Sequence, residues 1–291
     1  YPEKRKYILK ITLTDLNRVD HVERYLHLDN TSVYSANNYY LFNAQGEIIY
    51  SNIINRHDGF RILSSDTSSE YLYVRYYNRD FPLALPPFLE ETETVFDYNA
   101  DSVFRIGIQD GLTALLHFTE EGFYHIQSDT SSRQGYTVYR FPDGFPDVTT
   151  AGQMLQPLRY ITTRNEFEDL SGAPDLKLAI DNFWLSNAGN PARARNMIQK
   201  YYARVADANR FFSSYLEGWK TDRGIIYIVY GQPAIVYRGD KTEEWIYGEK
   251  GNANSIKFRF VKVPNPFTEN DYSLVKSPSY KEKWYNIVGT W

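Results

Sequence analysis

At 291 residues the chain is long enough for about two domains of ~150 residues each, so a sizeable core needs no disulfide or metal staple. Its 32 basic and 36 acidic side chains leave a formal charge of −4, which excludes the basic footprint of a nucleic-acid binder, and the absence of cysteine excludes disulfides, thiolate catalysis and cysteine-ligated metal centres. No window approaches the roughly 18 consecutive apolar residues of a spanning helix, and 26 Tyr and 17 Phe against 2 Met place the apolar content in rings that suit pleated surfaces.

In chain order, residues 7–13 predict a strand, and 38–42 and 47–51 flank Asn43-Ala44-Gln45-Gly46 as two strands flank a hairpin turn. Further strands are predicted at 70–77, 102–108, 112–118 and 135–141, so the chain up to about residue 146 reads as β. Inside it lies a repeat. Gly59-Phe60 followed by Ser65-Asp66-Thr67-Ser68-Ser69 recurs as Gly122-Phe123 followed by Ser128-Asp129-Thr130-Ser131-Ser132. Both copies then run through a Tyr- and Val-rich strand into Phe-Pro, at Phe81-Pro82 and Phe145-Pro146. The expectation is two tandem β-sandwich-like units, 1–86 and 87–149, each with its own core or sharing one. The two Ser-Asp-Thr-Ser-Ser tracts gather hydroxyls around a carboxylate, but Asp, Ser and Thr bond their own backbone in turns, and strand entry is the expected role.

After Pro146 the apolar period changes to 3.6, and short helices are predicted at 150–160, 164–170 and 174–185. The longest helix starts with Asn190 as N-cap and Pro191 in the first turn, and carries Ala194, Met197, Ile198, Tyr201, Tyr202, Val205, Ala208, Phe211, Phe212 and Tyr215 at threes and fours. Gly218 is expected to end it in the left-handed conformation. Residues 225–230, apolar on both faces, are expected to form a central strand broken by Gly231-Gln232-Pro233. Strands follow at 234–237, 243–247 and 256–263, with Gly251-Asn252-Ala253-Asn254 as a turn.

Gly218-Trp219-Lys220-Thr221-Asp222-Arg223-Gly224 contains the pattern Gly-Trp-x-Thr-Asp. Around it, in order, stand Phe183-Trp184, the run 201–209 beginning Tyr201-Tyr202-Ala203-Arg204, then Tyr227 to Pro233, Glu244-Trp245-Ile246-Tyr247 and Phe258-Arg259-Phe260. In these elements the chain resembles the GWxTD domain family. The tandem β units and the Asp-Phe-Pro-x-Ala-Leu-Pro-Pro run at 80–87 are similar to the N-terminal region of Bacteroidota-type members. The resemblance implies a helix-plus-antiparallel-sheet α+β domain within 150–291, and an exported envelope protein carrying a lipid anchor upstream of Tyr1. It supplies no catalytic residue, metal or cofactor. The positions it singles out are Gly218, Trp219, Thr221, Asp222, Arg223, Gly224, Tyr227, Gly231, Pro233 and Trp245.

Physically, residues 221–224 suit a turn joining a helix to a strand, with Trp219 covering the end of the helical face. The functional alternative places Trp219, Asp222 and Arg223 along a cleft that holds a sugar or a peptide end. The five histidines, His21, His27, His57, His117 and His125, all lie in the β region and none has metal-ligand spacing. No nucleophile elbow, phosphate loop or dinucleotide fingerprint is present. The carboxylate pairs Glu90-Glu91, Glu120-Glu121 and Glu243-Glu244 point to opposite faces if on strands and read as solvated surface. The expectation is a non-enzymatic envelope protein, an interaction or scaffold subunit of an outer-membrane-associated assembly whose partners are other envelope proteins. A glycan- or peptidoglycan-binding module using exposed rings is the alternative, and a hydrolase with an unrecognised carboxylate site the third.

Overall fold

The computed structural model describes residues 6–17, 20–29, 35–89, 96–249, 252 and 255–291. The chain forms two compact units, Tyr1–Arg79 with Tyr98–Phe141, and Asp80–Asp97 with Pro142–Trp291.

In the first unit β1 (Lys6–Asp15) and β2 (Asp20–Asp29) form a two-stranded ribbon of their own. The strands β3 (Tyr39–Asn43), β4 (Ile48–Ile49), β5 (Phe60–Ser64), β6 (Tyr71–Tyr77), β7 (Ser102–Gln109), β8 (Leu112–Thr113), β9 (Gly122–Gln127) and β10 (Tyr136–Arg140) make one eight-stranded antiparallel sheet that curls into a half-barrel. Its order is β10-β9-β6-β7-β8-β5-β3-β4. Alternation drives the curl inward: Phe60, Ile62, Leu72, Val74, Ile126 and Val138 are all fully buried in one cluster.

Of the two arrangements left open for the tandem β units, the sheet takes the second: strands of both repeat copies share one sheet and one core, a curled half-barrel where sandwich-like units were expected. The cause is β7, whose residues from Ser102 to Gly107 pair with β6 while Ile108 and Gln109 pair with β8, so a single strand carries the ladder between the two halves. The strand predicted at 112–118 keeps regular pairing only at Leu112–Thr113. There the Thr113 hydroxyl accepts the Ile62 N–H at 3.0 Å, occupying a donor the ladder would use, and only an isolated Phe60–Leu116 bridge follows. The strands β2, β5 and β9 escaped the sequence reading.

Both Ser-Asp-Thr-Ser-Ser tracts are turns, as expected. Asp66 accepts from the Ser68 N–H at 3.1 Å and Asp129 from the Ser131 N–H at 2.9 Å. Hydrogen bonds from the Ser68 and Ser131 hydroxyls hold both carboxyls below their ordinary range. The same local turn serves two topologies. Between β9 and β10 it closes a hairpin, whereas β5 and β6 are separated in the sheet by β7 and β8, so there it turns a corner.

His125 is buried on β9, its Nδ1 2.9 Å from the Thr137 hydroxyl and its Nε2 3.0 Å from the Arg133 carbonyl. Burial, aided by the Arg75 charge, pushes its pKa down to about 4, although the bond to Arg133 works the other way. A depressed histidine contributes stability that is complete above the unfolded value near 6.5 and is lost as pH falls towards 4. Denaturant unfolding of this unit is expected to weaken by about 3 kcal/mol over that window. His125→Gln should flatten the slope; an unchanged slope in that variant would assign the acid sensitivity elsewhere.

In the second unit α1 (Ala151–Leu158), α2 (Arg164–Ser171), α3 (Leu176–Ala188) and α4 (Pro191–Phe212) fall where the periodicity puts them. Each has a side-chain cap: Thr150 and Thr163 form capping boxes with Gln153 and Glu166, and Asp175 and Asn190 accept from the first turns of α3 and α4. There follow α5 (Asp222–Tyr230), β11 (Ile235–Arg238), β12 (Thr242–Tyr247), β13 (Ile256–Lys262), β14 (Tyr272–Leu274) and α6 (Lys281–Val288). The four strands form an antiparallel sheet in chain order. Most of the predicted 251–254 turn, like the Glu90-Glu91 pair, lies outside the described residues.

The central strand expected at 225–230 is instead the helix α5. Ile225, Ile226, Ile228 and Val229 are all buried, because α4, β14 and α6 pack around the helix. Four β-branched residues within the six positions 225–230 read as a central strand, and a segment this short gives too few turns for its helical period to tell the two apart.

Candidate functional site

The Gly-Trp-x-Thr-Asp segment folds as a short 3-10 turn, Gly218–Lys220, running into α5. Thr221 is the N-cap: its hydroxyl donates to the Gly218 carbonyl at 2.8 Å and accepts from the Gly224 N–H at 3.1 Å. Residues 221–224 thus start a helix, where a turn into a strand was expected. Asp222, in the first turn, accepts the Leu274 N–H at 2.7 Å and lies 3.7 Å from the Lys276 ammonium, tying α5 to β14.

Gly218 is not left-handed. Its role is close approach: a Cβ there would stand 1.8 Å from the Ala208 carbonyl oxygen of α4, and a Cβ on Gly224 would stand 1.7 Å from the Gly218 oxygen. Gly231 ends α5, and its carbonyl accepts the Tyr247 hydroxyl at 2.8 Å. Arg204 of α4 donates to the carbonyls of Ile228 and Val229, 3.0 Å from each, covering the same helix end.

Trp219 is buried, 6% exposed, with its ring beside that of Tyr160 and its backbone N–H donating to the Asn209 side-chain oxygen at 3.2 Å. It borders a small cavity of about 220 Å³ together with Phe145, Val148, Gln153 and Lys220. Trp219→Ala is expected to cost about 3–5 kcal/mol in a melting experiment; a loss under about 0.5 kcal/mol would mark the ring as a surface group.

Arg223 points the other way, into a cleft of about 740 Å³ that Tyr227, Pro233 and Trp245 also line. Trp219, Asp222 and Arg223 are therefore not brought together in one cleft. At its base Arg223 Nη1 meets Glu243 Oε2 at 3.1 Å, and Nη2 donates to the Asn270 carbonyl at 2.9 Å and side-chain oxygen at 2.5 Å. The other Glu243 oxygen accepts Arg238 Nε at 3.1 Å and the Trp245 indole N–H at 2.9 Å. The Arg223 guanidinium covers the Tyr272 ring at 4.1 Å and Phe212 at 5.3 Å. Burial lowers the Arg223 pKa while Glu243 opposes the shift, and beside the cleft burial pushes Asp271 up to about 6 against the pull of Arg223.

Glu243 overturns the solvated reading of its pair: it is buried at the centre of this network, while Glu244 faces outward and meets Lys257 at 2.7 Å. Sequence reading missed Glu243, Arg238, Asn270 and Phe212. One signal was available, since Glu243 and Trp245 stand two apart on β12 and so share its inward face.

The family model of the GWxTD domain matches residues 122–291, more than half of the chain. The chain belongs to the GWxTD domain family. The match opens at the start of β9, so the GWxTD region takes in the last two strands of the half-barrel as well as the helical unit. No curated protein and no solved structure matches the chain.

Proposed function

We propose that this GWxTD protein is a non-enzymatic interaction subunit of the cell envelope, which docks another protein of an outer-membrane-associated assembly through the β1–β2 ribbon. The carrying observation is the ribbon's exposed apolar face. Leu9, Ile11 and Leu13 alternate on one side of β1, 47%, 38% and 66% exposed, and the register sets Leu26 and Val22 against Leu9 and Leu13. The opposite face is mixed, with Lys10 2.6 Å from Glu23 beside the exposed Ile8 and Tyr25. An amphipathic two-stranded ribbon is marginal alone and gains stability when that face is covered.

The occupant is a different protein. One face of a ribbon of ten-residue strands offers roughly 350 Å², under half of the ~800 Å² per partner of a stable interface, so face-to-face pairing of two ribbons is too small and the partner is one that wraps both faces. The non-enzymatic part is supported by Glu243, whose carboxylate is held by two guanidiniums and an indole N–H, an arrangement that favours the ionised form in a structural ion pair over proton transfer. The envelope location rests on the family resemblance.

Crosslinking in native envelopes is the test. With a photo-crosslinking residue in place of Leu9, a partner is expected to be captured, and capture is expected to vanish in Ile11→Asp/Leu13→Asp. Recovery of the wild type only as a monomer, or capture indifferent to the double substitution, would end the reading.

A further inference from the structure

The cleft above Arg223 is walled by rings, Phe212, Tyr227, Trp245 and Tyr272, with Phe211 55% exposed at its rim. Its charges are unevenly committed. Glu243 already accepts three hydrogen bonds, and Arg223 is enclosed by Glu243, Asn270 and the Tyr272 ring. Asp207 is engaged by Arg210 at 3.2 Å and by the Tyr227 hydroxyl at 3.4 Å. Arg238 differs. Only its Nε is used, its side chain is 52% exposed, and among the described residues no acceptor meets its Nη groups.

A ring-walled cleft with one uncommitted guanidinium edge in its lining matches a carboxylate that sits next to an apolar side chain. Arg238 Nε and Trp245 Nε1 share one Glu243 oxygen, at 3.1 and 2.9 Å, so guanidinium and indole are neighbours. A carboxylate on the Nη edge then stands within one side chain's length of the rings. A C-terminal residue meets both demands from a single Cα, whereas an internal Asp or Glu needs a second residue to fill the rings. The geometry points to a cleft that captures the free C-terminus of a peptide ending in an aromatic or branched apolar residue. This site is independent of the ribbon, since it lies in the other unit.

The probes are labelled synthetic peptides, Gly-Ser-Gly-Ser-Val-X with X as Phe, Tyr, Trp, Leu or Val, each as free acid and as amide, followed by fluorescence anisotropy on the whole protein. At least one acid is expected to saturate, and its amide to bind at least about tenfold more weakly. Arg238→Ala should reproduce that loss on the acid and leave the amide unchanged, Arg238→Lys should fall between, and Phe211→Ala should weaken both forms. Melting temperatures of these variants should stay near wild type. The inference is overturned if no acid saturates, if acid and amide bind equally, or if an amidated peptide with an internal Asp matches the acid. None of these outcomes bears on crosslinking at the ribbon.

Discussion

Glu243→Ala is expected to destabilise the helical unit by about 3–5 kcal/mol, among the largest losses of any single substitution. The carboxylate is 3% exposed and the Arg223 side chain facing it 6%, so truncation strands a cation in the interior with only Asn270 and the Tyr272 and Phe212 rings. The Trp245 indole N–H loses its acceptor at the same time. Glu243→Gln keeps an acceptor for the indole and should cost less. Arg238→Ala should cost under about 1 kcal/mol, because half of that side chain is in water and Glu243 keeps its other partners. Denaturant midpoints of the three variants decide the matter: equal losses in Glu243→Ala and Arg238→Ala would mean the buried pair is not what holds this corner.

Gly224→Ala is expected to be of comparable severity, at least about 3 kcal/mol, the upper end of ordinary overpacking. The new methyl would stand 1.7 Å from the Gly218 oxygen, and neither backbone has room to retreat, because Gly218 is pressed against α4 with its own virtual Cβ 1.8 Å from the Ala208 oxygen. Thr221 bonds both glycines, so separating them also breaks the cap of α5. Gly152→Ala is the internal control. That glycine lies within α1 and a Cβ there meets nothing within 4 Å, so the substitution should stabilise by about 0.5–1 kcal/mol. Thermal melts that place Gly224→Ala near Gly152→Ala would remove the close-packing account of the motif.

These cases mark what was legible. The tryptophan of the motif, plugged beside Tyr160, follows from its position at the end of an amphipathic helix, and both repeat tracts are the turns their side chains suggest. The two motif glycines were visible as glycines, but their reason was not: φ freedom is a local property, whereas the closeness of two backbones depends on what α4 and the 3-10 turn do together. Glu243 was misplaced on the same ground. A glutamate beside another glutamate on a strand looks solvated until Arg223, 20 residues earlier and itself held by Asn270, is brought against it.

The sequence by itself determined α1 to α4, since caps such as Thr150, Thr163 and Asn190-Pro191 and a 3.6 period act within a few residues and need no partner. It also determined membership of the GWxTD family, because the motif stands uninterrupted at 218–222. Tertiary structure alone decided that 225–230 is a helix, that both β repeats share one curled sheet, and that Glu243 is the keystone of a ring-walled cleft. In each of these the deciding contact joins residues far apart in the chain: when a segment is buried on all sides, its neighbours choose its conformation, and its own residue pattern is silent about which neighbours those will be.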